Sequence, residues 1–192
     1  MRGSSHMLTA AATGITIVGT LFWTAKSVSV PTVVRDISQS ITHFLIPGNT
    51  GKLPIWAFVL IGVFLYFIGS LLPDIDTPYS TLGKILYLPF EHRTWTHALW
   101  LPAALCIGGI WVRLLFWMGV GVLVHDFWDS FSASGIHWFY PIGSGKKTKH
   151  IALYHTSQPS EFIVVGVALT LAILYGLLSL QLVYHFVNVT FK

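Results

Sequence analysis

Three short stretches of this chain gather side chains that can ligate metals or move protons. In HDFWD, residues 125–129, His125 and Asp129 stand at i and i+4, so on a helix they share a face. An imidazole and a carboxylate so spaced can hold one metal ion or two adjacent ones. The same spacing also serves an ordinary hydrogen-bonded or capping pair. Asp126 points about 100° away from His125 and reads as a supporting or interface residue.

In EHRTWTH, residues 91–97, His92 and His97 are five apart and would diverge on a continuous helix. Thr94 is expected to be the N-cap of the next helix, with His97 in its first turn. His92 then lies in the approach loop and can reach the same site. Arg93 has a planar fork suited to an anionic oxygen such as a phosphate. It suits equally well a reach to a lipid headgroup.

In SLLPDIDTPYS, residues 70–80, Asp74 and Asp76 close a long apolar run. Carboxylates there meet the negative end of the helix dipole, which is unfavourable. Pro73 biases Leu72 out of the helical region, so the helix should stop at Leu72 and leave both aspartates in an irregular turn. A solvated Asx-turn and a ligand pair are both open for them. Glu161 opens the last apolar segment, where the dipole alone accounts for an acid.

The elements that must position these groups are apolar. The chain is 54% hydrophobic and 9% charged, whereas a soluble domain carries about 25% charged residues. Such a balance indicates one integral membrane domain over residues 1–192, and the Trp and Phe content suits aromatic interface belts. The single cysteine, Cys106, allows no intrachain disulfide. The longest basic block is KKTK, residues 146–149, and the net charge is +4. That is too little to indicate nucleic-acid binding, and an anionic lipid surface explains it as well.

Spanning a bilayer takes about 20 apolar residues, and segments 8–24, 54–72 and 162–184 qualify. Segment 95–128 is too long for one crossing and is expected to fold as a hairpin of two short helices turning at Gly108–Arg113. That turn would return His97 and His125, about 42 Å apart on one straight helix, to the same level. Residues 32–46 have helical apolar spacing with a polar back, which predicts an interfacial amphipathic helix. The architecture expected is therefore an all-α polytopic bundle with about five membrane helices. In that topology six of seven acids and seven of nine histidines fall on one side. The candidate metal ligands are His6, Asp74, Asp76, His92, His97, His125, Asp129 and Glu161. They outnumber the three protein ligands of a single catalytic zinc, so more than one divalent ion is expected.

Taken together, the motifs resemble the YdjM-like family: LexA-regulated, inner-membrane-associated bacterial proteins regarded as metal-dependent hydrolases. The matching pieces are SHMLTAAATG, LLPDIDTPYSTLG, HRTWTH and HDFWDSFSASGIHWFYP, with a looser match in SQPSE. His137 and Glu91 depart from the pattern. The early histidine favours reading the opening MRGSSHM as native rather than as a cloning remnant. The family is itself distantly similar to zinc-dependent phospholipases C and related single-strand nucleases. The resemblance implies one to three zinc ions and a phosphoester substrate, of a lipid or another phosphodiester, at the membrane interface. Asp74 or Asp76 would take the proton of the attacking water and Arg93 would steady the phosphate. It also implies the bacterial cytoplasmic membrane. Basic residues, six on the site side against five, lean toward a cytoplasmic site. A non-catalytic, metal-stabilised membrane protein is the alternative. An ion-coupled carrier fits less well, because the ligands gather at one surface and no repeat is present.

Overall fold

The computed structural model describes residues 3–26, 30–48, 50, 53–143 and 151–190. The KKTK block lies outside the described residues, as do Arg2, Lys52 and Lys192. The described residues form six α-helices: α1 (Gly3–Lys26), α2 (Thr32–Leu45), α3 (Ile55–Gly69), α4 (Trp100–Gly108), α5 (Arg113–Ser130) and α6 (Pro159–Thr190). Short 3₁₀ turns lie at Pro73–Asp76 and Trp95–His97. Among the described residues there is no strand, only a parallel bridge between Ser132 and Tyr154.

Among the described residues two helices, rather than five, are long and apolar enough to cross a membrane: Gly3–Ala25 and Pro159–Gln181. The reason is length. α3 is apolar, but its 15 residues reach about 22 Å against a hydrocarbon core of about 30 Å. The expected hairpin does turn between Gly108 and Arg113. Its first arm, α4, has only nine residues, and α5 carries Arg113, Asp126 and Asp129. The division of basic residues between two sides assumed five crossings and does not survive this correction.

α1 keeps its polar groups inside itself. Thr13, Thr16, Thr20 and Thr24 each donate a hydroxyl to the carbonyl four residues back, which satisfies them where water is absent. α1 and α6 run side by side in the same direction: Ile15 meets Gly176, and Gly19 meets Tyr175 and Ser179. Thr20 and Tyr175 hydroxyls are 2.9 Å apart across that contact.

α3 and α5 also run parallel, and glycine sets their separation. A Cβ on Gly121 would stand 2.0 Å from the Tyr66 carbonyl oxygen, and one on Gly69 would stand 2.1 Å from that of Met118. Small residues permit this backbone approach. It places Ser70, just past α3, against His125 of α5. Tyr66 then ties α3 to α1 by donating to the Ala10 carbonyl at 2.7 Å.

α2 turns its polar side to α1, with Thr24 donating to Ser38 at 2.7 Å. Its apolar residues Val33, Val34, Ile37 and Ile41 are exposed, as expected of a helix that lies in the membrane interface.

Candidate metal centre

Four pieces of chain bring ligand-type side chains together: the start of α1, the two 3₁₀ turns, and the last turns of α5. His6, His97, His125 and Asp129 are each at most 1% exposed. Asp74 and Asp76 are also buried.

Pro73 opens the first 3₁₀ turn, a position where its missing N–H costs nothing. α3 stops at Gly69 rather than Leu72. The turn sends its two aspartates to different partners. Asp74 Oδ1 is 3.7 Å from Nε2 of both His97 and His125, and its Oδ2 is 3.7 Å from His6 Nε2. Asp129 mirrors this. Its Oδ1 is 3.5 Å from His6 Nε2, and its Oδ2 is 4.0 Å from Nε2 of His97 and of His125.

Asp76 instead faces the back of the histidines. It lies 2.7 Å from His92 Nδ1 and 3.6 Å from His97 Nδ1, and it accepts the Thr96 and Thr77 hydroxyls at 2.5 and 3.1 Å. A carboxylate so placed fixes ring orientation and tautomer, leaving Nε2 to bind. Among the described residues, Asp74, His92 and His97 form one group of ligand atoms near enough to share an ion, and Asp76 belongs to none.

His97 does not occupy the first turn of a helix. Thr94 precedes a 3₁₀ turn, its hydroxyl donates to the Glu91 carbonyl, and α4 begins only at Trp100. Arg93, just before, has φ of +66°, a conformation that non-glycine residues rarely adopt. Its backbone N–H reaches Asp76 Oδ2 at 3.3 Å. Its guanidinium contacts Asp129 Oδ2 at 3.1 Å and donates to Ser132 Oγ at 2.8 Å and the Gly135 carbonyl at 3.0 Å. The fork therefore braces Asp129. Tyr154, delivered by the bridge to Ser132, donates to the Trp128 carbonyl at 2.9 Å and approaches Asp129 Oδ1 at 3.3 Å.

Glu161 is fully buried at the start of α6, and its Oε2 accepts the Ser157 backbone N–H at 2.6 Å. It joins none of the ligand groups among the described residues. His137 lies beside Tyr140, away from the centre. Asp126 is the residue that sequence reasoning passed over. It is 0% exposed and groups with His97 and His125. The available signal was its i−3 relation to Asp129, which keeps the two about 60° apart on one helix.

Burial disfavours the Asp74 carboxylate, but His125, His97 and His6 overrule it and hold it well below the usual range. Burial opposes the charge of Asp76 too, and His92, His97 and Thr96 again win. Burial works against a charged His97, yet the facing carboxylates Asp74 and Asp76, aided by Asp126 and Asp129, push it up to about 10.

The donor set fits a divalent cation. His125 Nδ1 faces the Ser70 carbonyl at 2.8 Å, so the proton belongs on Nδ1 and Nε2 presents a lone pair. His97 Nδ1 faces Asp76, which favours the same arrangement. The two Nε2 atoms then stand 3.2 Å apart, close to the roughly 3.3–3.5 Å expected between ligands of one tetrahedral zinc. His6 stacks on His125 with centroids 3.7 Å apart. Its two buried ring nitrogens lack a hydrogen-bond partner among the described residues. Buried polar atoms of that kind call for an explanation, and a cation beside Nε2 supplies one.

The family model described as YdjM inner membrane protein matches residues 1–189. The chain belongs to that family. The match takes in every residue of the centre, from His6 in α1 to Glu161 in α6. Membership of a YdjM inner membrane protein family agrees with the two apolar spans. No curated protein and no solved structure matches the chain.

Proposed function

We propose that this protein is a membrane-bound, metal-dependent hydrolase that cleaves a phosphoester, of a lipid or another phosphodiester, at the membrane interface. The observation that carries the reading is the two-sided use of Asp74 and Asp129. Each offers one oxygen to His6 and the other to the His97–His125 pair, as carboxylates spanning two adjacent cations do.

Divalent ions bound there, zinc being favoured by the three imidazoles, would supply Lewis-acid polarisation of a phosphoryl oxygen and an acidified water. His6, His97, His125, Asp74 and Asp129 would hold them. Asp76 orients His97 and His92. The Asp74 side chain is 12% exposed, so of the two turn aspartates it is the one placed to take a proton from water. Arg93 keeps Asp129 in place. A guanidinium has five N–H donors, and those not turned to Asp129, Ser132 and Gly135 are available to a phosphate oxygen.

A lipid substrate is supported by the chain segment that carries His92 and Arg93. Ile85, Leu86, Tyr87, Phe90 and Trp95 of that segment are all exposed. Apolar and aromatic side chains of this kind suit the headgroup region.

A non-catalytic metal-stabilised protein is the second reading. The near-complete burial of His6, His97, His125 and Asp129 favours it, since structural zinc sites are closed. Protein purified without chelator should contain metal and hydrolyse phospholipid or a phosphodiester in mixed micelles. His125→Ala with Asp129→Ala should lose both together. Full hydrolysis by that variant would sink the hydrolase reading; metal without any hydrolysis across the panel would select the second.

A further inference from the structure

We propose that Asp126 is a metal ligand, forming with His97 and His125 a cation position distinct from the one beside His6. The inference rests on the metal-centre reading above.

α5 presents His125, Asp126 and Asp129 within about 100° of its circumference, so one buried face carries all three. Asp126 is 0% exposed, and neither carboxylate oxygen has a hydrogen-bond partner among the described residues. A buried carboxylate in that state is strongly disfavoured unless a cation stands beside it. Two other acids of the centre have such support in protein atoms: Asp76 has two hydroxyls and His92, and Asp129 has Arg93. Asp126 has the two imidazoles. One ligand atom from each of His97, His125 and Asp126 lies within 4.8 Å of the others.

The tautomers sharpen this. With His125 Nδ1 engaged by Ser70 and His97 Nδ1 facing Asp76, the two Nε2 atoms face each other across 3.2 Å. Without metal one proton bridges them, and a cation that displaces it is drawn by both nitrogens. Asp74 and Asp129 are divided between the imidazole pair and His6. Asp126 belongs to the pair alone, and gives the cation there a carboxylate that is not shared.

The test uses the full chain in detergent, stripped with chelator and titrated with zinc, comparing the unchanged protein with Asp126→Asn and Asp126→Glu. Altering even an outer partner of a ligand costs about 10–100-fold in metal affinity. Loss of Asp126 should therefore weaken one zinc equivalent by at least about 100-fold and leave another in place. Without zinc, Asp126→Asn should melt higher than the unchanged protein, because the cost of burying an ionisable carboxyl is gone. With zinc, the order should reverse. Asp126→Glu, which keeps the charge, should keep both equivalents. If Asp126→Asn titrates and melts with zinc like the unchanged protein, the assignment of Asp126 is overturned. If the unchanged protein takes up no zinc, the metal-centre reading falls and this inference with it.

Discussion

Asp74 and Asp129 face each other across three imidazole nitrogens, and each divides its oxygens the same way. Their Oδ atoms lie 3.7 and 3.5 Å from His6 Nε2 on one side, and 3.7 and 4.0 Å from the His97 and His125 Nε2 atoms on the other. His6 serves one side only. Asp74→Ala should therefore deplete bound metal more than His6→Ala does. Elemental analysis of the two purified variants checks this, and equal depletion would argue against a shared carboxylate.

Asp76 acts on the centre from behind, through Nδ1 of His97 and of His92. Asp76→Asn should leave the ligands present and weaken zinc by about 10–100-fold. Competition with a chromophoric chelator measures that. Complete loss of zinc would place Asp76 among the direct ligands instead.

The raised His97 gives two opposite pH dependences. In chelator, its pKa of about 10 exceeds the ordinary 6.5. Its contribution to stability is then whole below pH 6.5 and is lost as pH climbs through about 10. Chelated protein should melt lower as pH rises across that window. Zinc binding must displace the His97 proton, so zinc affinity should rise with pH over the same range. Melting curves with and without zinc, together with proton release measured in buffers of different ionisation enthalpy, test both signs.

Arg93→Ala leaves the Asp129 carboxylate buried beside Tyr154 without its guanidinium partner. Breaking a buried pair from one side costs about 3–5 kcal/mol, and thermal unfolding of the metal-free variant in detergent should show a loss of that order. Arg93→Lys keeps a charge but not the three-way fork, and should recover only part of it. Recovery in full would mean that charge alone matters.

Gly121→Ala tests whether the α3–α5 approach sets the site. The new methyl meets the Tyr66 carbonyl at 2.0 Å, so the helices must separate and carry His125 away from Ser70. Overpacking of this kind costs about 1–3 kcal/mol. Zinc content should fall along with melting temperature. A variant that loses stability but keeps its zinc would uncouple the two.

Much of this was legible before any coordinates. The pair His125 and Asp129 follows from helical period alone, and the α4–α5 turn follows from Gly108–Gly109 and Arg113. The amphipathic α2 follows from the spacing of Val33, Val34, Ile37 and Ile41. What was not legible depends on neighbours distant in sequence. Asp74 and Asp76 look equivalent in PDIDTP, and only the 3₁₀ turn separates them, one toward Nε2 atoms and the other toward Nδ1 atoms. Helical period turns Asp126 aside from His125, whereas Asp129 and the 3₁₀ turn at His97 decide what it meets. Arg93 suits a phosphate or a headgroup by its chemistry, and only the fold adds Asp129, Ser132 and Gly135 as its partners. Length misled most where apolar character ran past a helix end, at 70–72 and 98–99.

The placement of His6 on α1 has a consequence for the order of assembly. His6 precedes its partners in the chain, and Asp74 and Asp129 belong to segments made later. No ribosome-bound fragment that ends before α5 can complete the donor set. On the metal-centre proposal, capture is thus a maturation step, open only to chains whose α1, 3₁₀ turns and α5 have already met.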